Sequence, residues 1–286
     1  MTSSTPSSAA GTKPQVGCHL IVFRGKQDED LDAVLKDVQA AGFDGVEARI
    51  LAGGDPKAAR AKLDEFGLRQ GSMSTSYAML DELDKSIEYA TGVGARFIMV
   101  SGVGDHQTEG LRAYEKSADR FNEAGRKCKA AGIQFCYHNH SWEFQTYSRA
   151  SGEAVDHGTP GSVNGLERLL ELTDKDLVKG CFDVYWIQHG GENPASFLER
   201  YRDRVGYPHF KDMKYLGEEP RRKGRLNREE ATFVELGRGE VDLKAVWDVL
   251  KPLHLPWVVY EQDRSELPPG EAAKISRDHL KTTVGI

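Results

Sequence analysis

Short apolar segments of strand length alternate with amphipathic helical segments along nearly the whole chain of 286 residues. We assign strands to the apolar segments at residues 17–23, 45–48, 68–73, 96–100, 133–137, 178–182, 205–210 and 257–260. A segment with apolar residues at helical spacing follows each of them. Parallel strands that are buried on both faces are expected to consist of such short apolar runs. Eight strand–helix repeats therefore predict an α/β fold, a (βα)8 barrel of the TIM type.

The connections between these elements help to choose between α/β architectures. A doubly wound sheet has the same alternation, but no Gly-x-Gly-x-x-Gly sequence follows the first strand. Two long connections, at residues 141–161 and 211–241, leave strands at the end where barrel enzymes carry their substrate loops. We expect residues 1–14 to form a disordered N-terminal tail and residues 15–286 to form one (βα)8 barrel domain.

The charge of the chain argues against one class of function. Lys and Arg number 38 and Asp and Glu number 44, which gives a net charge of −6. Proteins that bind a phosphate backbone usually carry a net positive charge or a basic stripe. The densest basic run, at residues 221–225, is separated from two glutamates by one proline. We predict no nucleic-acid partner and interpret this run as a solvated loop, with phosphate recognition as the alternative.

Cysteine usage and the start of the chain indicate a cellular compartment. The four cysteines, Cys18, Cys128, Cys136 and Cys181, include no Cys-x-x-Cys pair and are typical of free, packed thiols. Residues 1–12 lack the basic and apolar parts of a signal peptide. No stretch reaches the ~18 uninterrupted apolar residues that a membrane helix needs. We therefore predict a reduced, cytoplasmic protein with no membrane partner.

Polar side chains interrupt the apolar pattern at the ends of the last four strands. Strand five runs into Tyr-His-Asn-His-Ser-Trp-Glu at residues 137–143, and the next three strands end at Asp183, His209 and Glu261. The carboxyl ends of parallel strands open on the same mouth of a barrel. Carboxylates that converge there repel one another unless a cation offsets their charge. Two Glu, one Asp and one His without a thiolate therefore indicate one divalent metal ion, with Mn²⁺, Mg²⁺, Co²⁺, Fe²⁺ and Zn²⁺ as candidates.

The order of these polar segments resembles that of the sugar phosphate isomerase/epimerase superfamily. This group of xylose isomerase-like TIM barrels includes D-tagatose 3-epimerase, inosose dehydratase and endonuclease IV. The resemblance extends over roughly residues 15–283. It rests on the segments at residues 43–47, 137–144, 182–186, 209–214, 235–242 and 260–263.

The resemblance implies a metal centre with one ligand from each of strands five to eight, and Mn²⁺ is the expected metal. Asp183, His209 and Glu261 match three of the ligand positions in the family. For the first ligand we expect Glu143 to reach back to the metal from the loop after strand five. His138, which stands where the epimerases carry a glutamate, is the alternative. The resemblance also implies a small-molecule carbohydrate substrate, and because family members are often dimers or tetramers we expect a homo-oligomer.

Several further residues are candidates for catalysis and substrate binding. We expect His140 to face the substrate as an acid or base, together with the carboxylates Glu143 and Glu261. Lys211 lies two residues after His209 and so points to the same side of the strand, where it would bind a sugar hydroxyl or stabilise an enolate. The expected substrate-binding residues are Glu47, His138, Trp142, Trp186 and Arg264. Histidines outside the motifs, His19, His106 and His189 among them, are interpreted as surface or helix residues.

These residues favour a metal-dependent isomerase or epimerase that acts on a keto-sugar or related polyol through an enediolate. A lyase or dehydratase that acts on a keto-cyclitol or a 3-keto-glycoside is the first alternative, because Trp186 stands where epimerases carry a substrate-contacting histidine. A non-catalytic sugar-binding barrel is the second. A nuclease like endonuclease IV needs several metals, and the first four strands offer only His19 and Glu47.

Overall fold

The computed structural model describes residues 13–216 and 230–286. The tail expected at residues 1–14 therefore lies almost entirely outside the described residues, and so does the basic run at residues 221–225.

Eight parallel strands form a closed barrel in which each strand pairs with its neighbours along the chain and the last pairs with the first. This confirms the predicted (βα)8 barrel. The strands are β1 (Gln15–His19), β2 (Gly45–Ala48), β3 (Arg69–Ser76), β4 (Phe97–Ser101), β5 (Gln134–His138), β6 (Val178–Asp183), β7 (Val205–Phe210) and β8 (Trp257–Tyr260).

Helices surround the barrel and cover the outer faces of the strands. They are α1 (Lys26–Glu29), α2 (Leu31–Ala41), α3 (Pro56–Glu65), α4 (Leu83–Val93), α5 (His106–Glu109), α6 (Leu111–Ala130), α7 (Gly165–Leu172), α8 (Val184–His189), α9 (Pro194–Arg200), α10 (Leu243–Leu250) and α11 (Pro269–His279). In residues 13–216 and 230–286, every helix is too short or too polar to span a bilayer.

The first predicted strand is too long at its carboxyl end. The apolar run continues to Phe23, but β1 ends at His19 and residues Leu20–Phe23 form a 3₁₀ turn. The His19 side chain stabilises this ending, because its Nδ1 accepts a hydrogen bond of 3.0 Å from the backbone N–H of Ile21 and caps the turn. The turn carries the chain away from the barrel and leaves the His19 ring at its mouth.

Both long connections contain an antiparallel hairpin that the sequence pattern did not predict. Thr146–Ser148 pairs with Ser162–Asn164 after β5, and Asp212–Tyr215 pairs with Ala231–Val234 after β7. Both connections leave the carboxyl ends of the strands, as expected for substrate loops.

The interior of the barrel is packed with apolar side chains below the mouth. Cys136, Cys181, Tyr207 and Val259 belong to a buried cluster there that also contains the indole of Trp257. The indole passes so close to β1 and β3 that a Cβ added at Gly17 or Gly71 would lie 2.3 or 2.4 Å from it. Only glycine fits at those two positions, and the indole fills the barrel below the mouth. The polar side chains above this packed layer lie at the carboxyl-terminal mouth.

Candidate metal centre and active site

Four buried side chains from successive strands meet at the carboxyl-terminal mouth of the barrel. His138 ends β5, Asp183 ends β6, His209 lies near the end of β7, and Glu261 directly follows β8. One ligand atom from each of these residues lies within 4.8 Å of the ligand atoms of the other three. Successive side chains of a strand point alternately into and out of the barrel. These four residues all point inward at the same height, which explains why their side chains converge. We call this set of four residues the mouth cluster.

His209 is held between two carboxylates. Its Nδ1 contacts Glu261 Oε2, and its Nε2 lies 3.0 Å from Glu47 Oε1. The other oxygen of Glu47 accepts hydrogen bonds from the hydroxyl groups of Tyr207, at 2.6 Å, and Ser72. Burial raises the pKa of Glu47, but the neighbouring His209 outweighs this effect, so the pKa lies below its ordinary value. Glu47 is therefore an anion that fixes the orientation of the His209 ring.

Asp183 presents an oxygen that fits a metal ion. Its Oδ1 accepts a hydrogen bond of 3.1 Å from the backbone N–H of Trp186. Among the residues that the structure describes, its Oδ2 is buried without a hydrogen-bond partner, and it lies 3.6 Å from Lys211 Nζ. Burial raises the pKa of Asp183 to about 7, although the charge of Lys211 acts in the opposite direction. A bound cation would satisfy this oxygen and favour the ionised form.

The chemistry of the mouth cluster as a whole also fits a divalent metal. Burial keeps the pKa of His138 well below its ordinary value, so the ring is neutral, as a metal ligand must be. Burial raises the pKa of Glu261, but Lys211 and His209 outweigh this effect, and the group stays ionised. Two imidazoles and two carboxylates suit Zn²⁺, Mn²⁺, Fe²⁺ and Co²⁺ better than they suit Ca²⁺.

Glu143, the expected first ligand, is placed elsewhere. Its Oε1 accepts a hydrogen bond of 2.6 Å from the hydroxyl of Tyr137, and its Oε2 accepts one of 2.8 Å from the backbone N–H of His140. Burial raises the pKa of Glu143 to about 7, and these hydrogen bonds only partly oppose the rise. The structure therefore does not bring Glu143 into the mouth cluster, which contains the alternative, His138.

Lys211 supplies a buried positive charge beside the mouth cluster. Its Nζ donates a hydrogen bond of 3.0 Å to Glu261 Oε1, contacts the carboxylate of Asp263, and lies 5.0 Å from the centre of the nearest Trp186 ring. Burial lowers the pKa of Lys211, but Glu261, Asp183 and Asp263 outweigh this effect and raise the pKa above its ordinary value. The ammonium group is therefore charged.

A cavity of about 510 Å³ opens above the mouth cluster. His138 and Glu261 of the cluster line it, together with His19, His140 and Asp263. Its size is that of a small-molecule site, and its wall carries imidazole and carboxylate groups.

His140 lies in this wall and packs against an aromatic partner. Its ring stacks on Trp142, with 4.0 Å between ring centres and 13° between planes. Its centre is 4.9 Å from that of His138. The hydrogen bond from its backbone N–H to Glu143 fixes the start of the loop that carries it. The ring is thus placed at the cavity without belonging to the mouth cluster.

The other expected substrate-binding residues do not line the cavity above the mouth cluster. Glu47 is fully buried beneath His209, and Trp186 packs against Lys211. Trp142 lines a separate, more open cavity of about 1400 Å³ next to the first. Arg264 is exposed, and its carbonyl accepts a hydrogen bond from Gln262. Only His138 of this set lies in the wall of the smaller cavity.

The interpretation of His19 as a surface or helix residue is wrong. Its Nε2 lies 3.4 Å from Glu47 Oε1, and its ring lines the smaller cavity. Asp263 and Asn139 were also missed; the Oδ1 of Asn139 accepts a hydrogen bond of 3.0 Å from the backbone N–H of Asp183. Two of these residues had a signal in the sequence. His19 ends the first strand, and Asp263 lies two positions after Glu261.

The comparisons with known proteins agree with the fold. A family model described as "Xylose isomerase-like TIM barrel" matches residues 35–283. Inosose dehydratase of Geobacillus kaustophilus is 25% identical over 88% of this chain and 87% of its own length. That of Lacticaseibacillus casei is 24% identical over 89% of this chain and 90% of its own length.

Solved structures show the same architecture. A sugar phosphate isomerase/epimerase from Parabacteroides distasonis superposes with a TM-score of 0.74 and 19% identity, over 99% of both chains. The IolI protein, whose crystal structure contains a bound zinc atom, superposes with a TM-score of 0.70 and 15% identity, over 94% of this chain and 98% of its own. The match over residues 35–283 and the closed eight-stranded barrel lead to one conclusion: the chain belongs to the xylose isomerase-like TIM barrel family.

Proposed function

We propose that the chain is a divalent-metal-dependent lyase that eliminates water, or another β-leaving group, from a keto-cyclitol or keto-sugar. The observation that carries this proposal is the mouth cluster, which faces a cavity of about 510 Å³ with the His140 imidazole in its wall. The relatives named inosose dehydratase support the substrate class, since an inosose is a keto-cyclitol.

His138, Asp183, His209 and Glu261 are the proposed metal ligands. A divalent ion held by them would polarise a carbonyl and a neighbouring hydroxyl, and so would make the adjacent C–H bond more acidic. The orphaned Oδ2 of Asp183 and the neutral His138 ring support this ligand set. Mn²⁺ remains the expected metal.

His140 is the proposed acid and base. Its imidazole takes the proton from the carbon beside the carbonyl and then returns a proton to the departing hydroxyl, which leaves as water. Glu143 positions the ring through the His140 backbone, and Lys211 supplies the charge that stabilises the developing enolate oxygen.

The composition of the mouth cluster favours elimination over epimerisation. Epimerisation returns the proton to the opposite face of the carbon, and the epimerases that this chain resembles use two metal-bound glutamates as the proton pair. In this chain a histidine, His138, ends β5, where the epimerases carry a glutamate. Both oxygens of Glu143 accept hydrogen bonds, from the Tyr137 hydroxyl and the His140 backbone. Glu261 is then the one glutamate in the cluster. Elimination needs one group that can first accept and then donate a proton, and His140 meets this need.

Incubation of the Mn²⁺-loaded protein in heavy water with a panel of inososes, keto-hexoses and 3-keto-glucosides, followed by NMR, tests the proposal. We expect loss of the proton next to the carbonyl together with the vinyl signal of an unsaturated ketone or its enol. Asp183→Asn is expected to abolish both signals, and Asp203→Asn, at an exposed site, to leave them unchanged. A new stereoisomer that carries deuterium and has lost no water would establish epimerisation instead. If no substrate in the panel exchanges its C–H protons with solvent, the lyase proposal is wrong and the non-catalytic sugar-binding barrel is the interpretation that remains.

A further inference from the structure

Cys181 lies directly below the mouth cluster, and the proposed reaction does not use it. It precedes Asp183 by two positions on β6, so both side chains point into the barrel. It pairs in register with His138 of β5, and its Sγ lies 3.8 Å from His138 Nδ1. Its side chain is fully buried. The thiol is therefore next to one of the proposed metal ligands.

Cys181 completes a second group of metal-ligand atoms. One atom each from Cys181, His138 and His209 lies within 4.8 Å of the other two. In a tetrahedral zinc site with Zn–S of about 2.3 Å and Zn–N of about 2.0 Å, sulfur and nitrogen are about 3.6 Å apart. The distance of 3.8 Å between Cys181 Sγ and His138 Nδ1 is close to this value. These two atoms are therefore spaced nearly as two ligands of one zinc ion are.

The two groups differ in the softness of their remaining ligands. The mouth cluster adds the carboxylates of Asp183 and Glu261 to the two imidazoles, and the lower group adds a sulfur. Carboxylates favour Mg²⁺ and Mn²⁺, whereas a thiolate favours Zn²⁺ and, being softer, Cd²⁺. The surroundings of the sulfur are apolar, since Met99, Tyr207 and Trp257 belong to the same buried cluster. A metal ion would reach this lower group through the smaller cavity, whose wall contains both His138 and Met99.

We propose that Cys181, His138 and His209 form a second, thiolate-containing site for a thiophilic divalent metal such as Cd²⁺ or Zn²⁺. Binding breaks the S–H bond of Cys181, releases the proton to solvent and forms a sulfur–metal bond. Because the two imidazoles are shared, a metal in this site excludes one from the mouth cluster. Thiophilic metals are then inhibitors that compete with Mn²⁺.

Cadmium titration of the full chain tests this site by ultraviolet absorption. In wild-type protein we expect a sulfur-to-cadmium charge-transfer band that saturates at one Cd²⁺ per chain. Cys181→Ser is expected to abolish the band and to lower Cd²⁺ affinity ~10–100-fold, whereas Mn²⁺ affinity changes less than about threefold. Cys136→Ser is the matched control, because Cys136 is an equally buried cysteine on β5 that lies outside the group. Circular dichroism of each sample verifies that the barrel stays folded.

The wild-type titration alone can overturn the proposal, whether or not the variants fold. Folded wild-type protein that shows no charge-transfer band at saturating Cd²⁺ has no such site. A band that persists in Cys181→Ser, or that disappears only in Cys136→Ser, would place the sulfur elsewhere and overturn the assignment. If Cd²⁺ binding produces the band but does not weaken Mn²⁺ binding, the two sites do not share His138 and His209, and the proposal is wrong. None of these results depends on the proposed lyase activity.

Discussion

Glu47 Oε1 lies 3.0 Å from His209 Nε2, so a buried carboxylate fixes the ring whose other nitrogen faces Glu261. A histidine that ligates a metal through one nitrogen commonly donates the hydrogen on the other to a carboxylate, which fixes the tautomer and raises the basicity of the ligand. Glu47 comes from β2, outside the consecutive strands β5 to β8 that carry the proposed ligands. It is therefore better described as a residue that positions His209 than as one that binds substrate.

Glu47→Gln should weaken divalent metal binding ~10–100-fold, because the amide cannot stabilise the His209 ring as a carboxylate does. Competition with a fluorescent chelator measures this affinity independently of activity. Glu88→Gln, which makes the same change at an exposed position, is the control and should bind metal like the wild type. Unchanged affinity in folded Glu47→Gln would show that the contact with His209 does not serve the metal centre.

The first metal ligand can be identified by two substitutions on the same segment. His138→Gln should reduce bound metal from about one ion per chain to a small fraction, because a neutral ring within the mouth cluster is lost. Glu143→Gln should keep the ion, since both oxygens of Glu143 are engaged by Tyr137 and His140. Metal analysis after dialysis gives the answer. Loss of the ion in Glu143→Gln with retention in His138→Gln would reverse the assignment.

The sequence predicted the barrel well because its strands are buried on both faces. Residues 45–48, 205–210 and 257–260 were assigned with the bounds that the structure has. Burial on both faces makes these segments short and mostly apolar, and the polar side chains at or near their carboxyl ends mark the mouth of the barrel. Asp183 and His209 could be recognised for the same reason.

The details of the loops could not be predicted, because they depend on contacts that strand periodicity does not contain. The position of Glu143 is set by the Tyr137 hydroxyl, which lies on the strand below it. His19 faces the cavity because its own side chain caps a 3₁₀ turn inside an apolar run that is typical of a continuing strand. In both cases side-chain hydrogen bonds within the loop determine where the residue lies relative to the cavity.

Lys211→Met should separate catalysis from metal binding. The Nζ of Lys211 donates a hydrogen bond to Glu261 and lies 3.6 Å from Asp183 Oδ2, so its removal frees Glu261 for a metal ion, and metal affinity should rise or stay the same. Turnover should fall ~10²-fold or more, because the charge that we propose to stabilise the enolate oxygen is lost. Chelator competition and steady-state kinetics measure the two effects. Lys214→Met, at an exposed site three residues later, is the control, and weaker metal binding in Lys211→Met would contradict this role.

Glu143 should make the stability of the metal-free protein depend on pH. Burial raises its pKa to about 7, against about 4.3 for an unperturbed glutamate in the unfolded chain. Between these values the folded state holds a proton that the unfolded state has released. The contribution of Glu143 to stability is therefore complete below about pH 4 and is lost as the pH rises through 7.

Glu143→Gln removes this titration, because the amide carries no ionisable proton. From pH 5 to pH 8 the free energy of unfolding of the wild type should fall relative to that of the variant, by up to about 3 kcal/mol. Urea unfolding in the presence of a chelator measures both proteins, and the chelator removes any contribution from bound metal. A difference that stays constant across this range would mean that Glu143 is already ionised at pH 5, and that its hydrogen bonds with Tyr137 and the His140 backbone outweigh the cost of burying its charge.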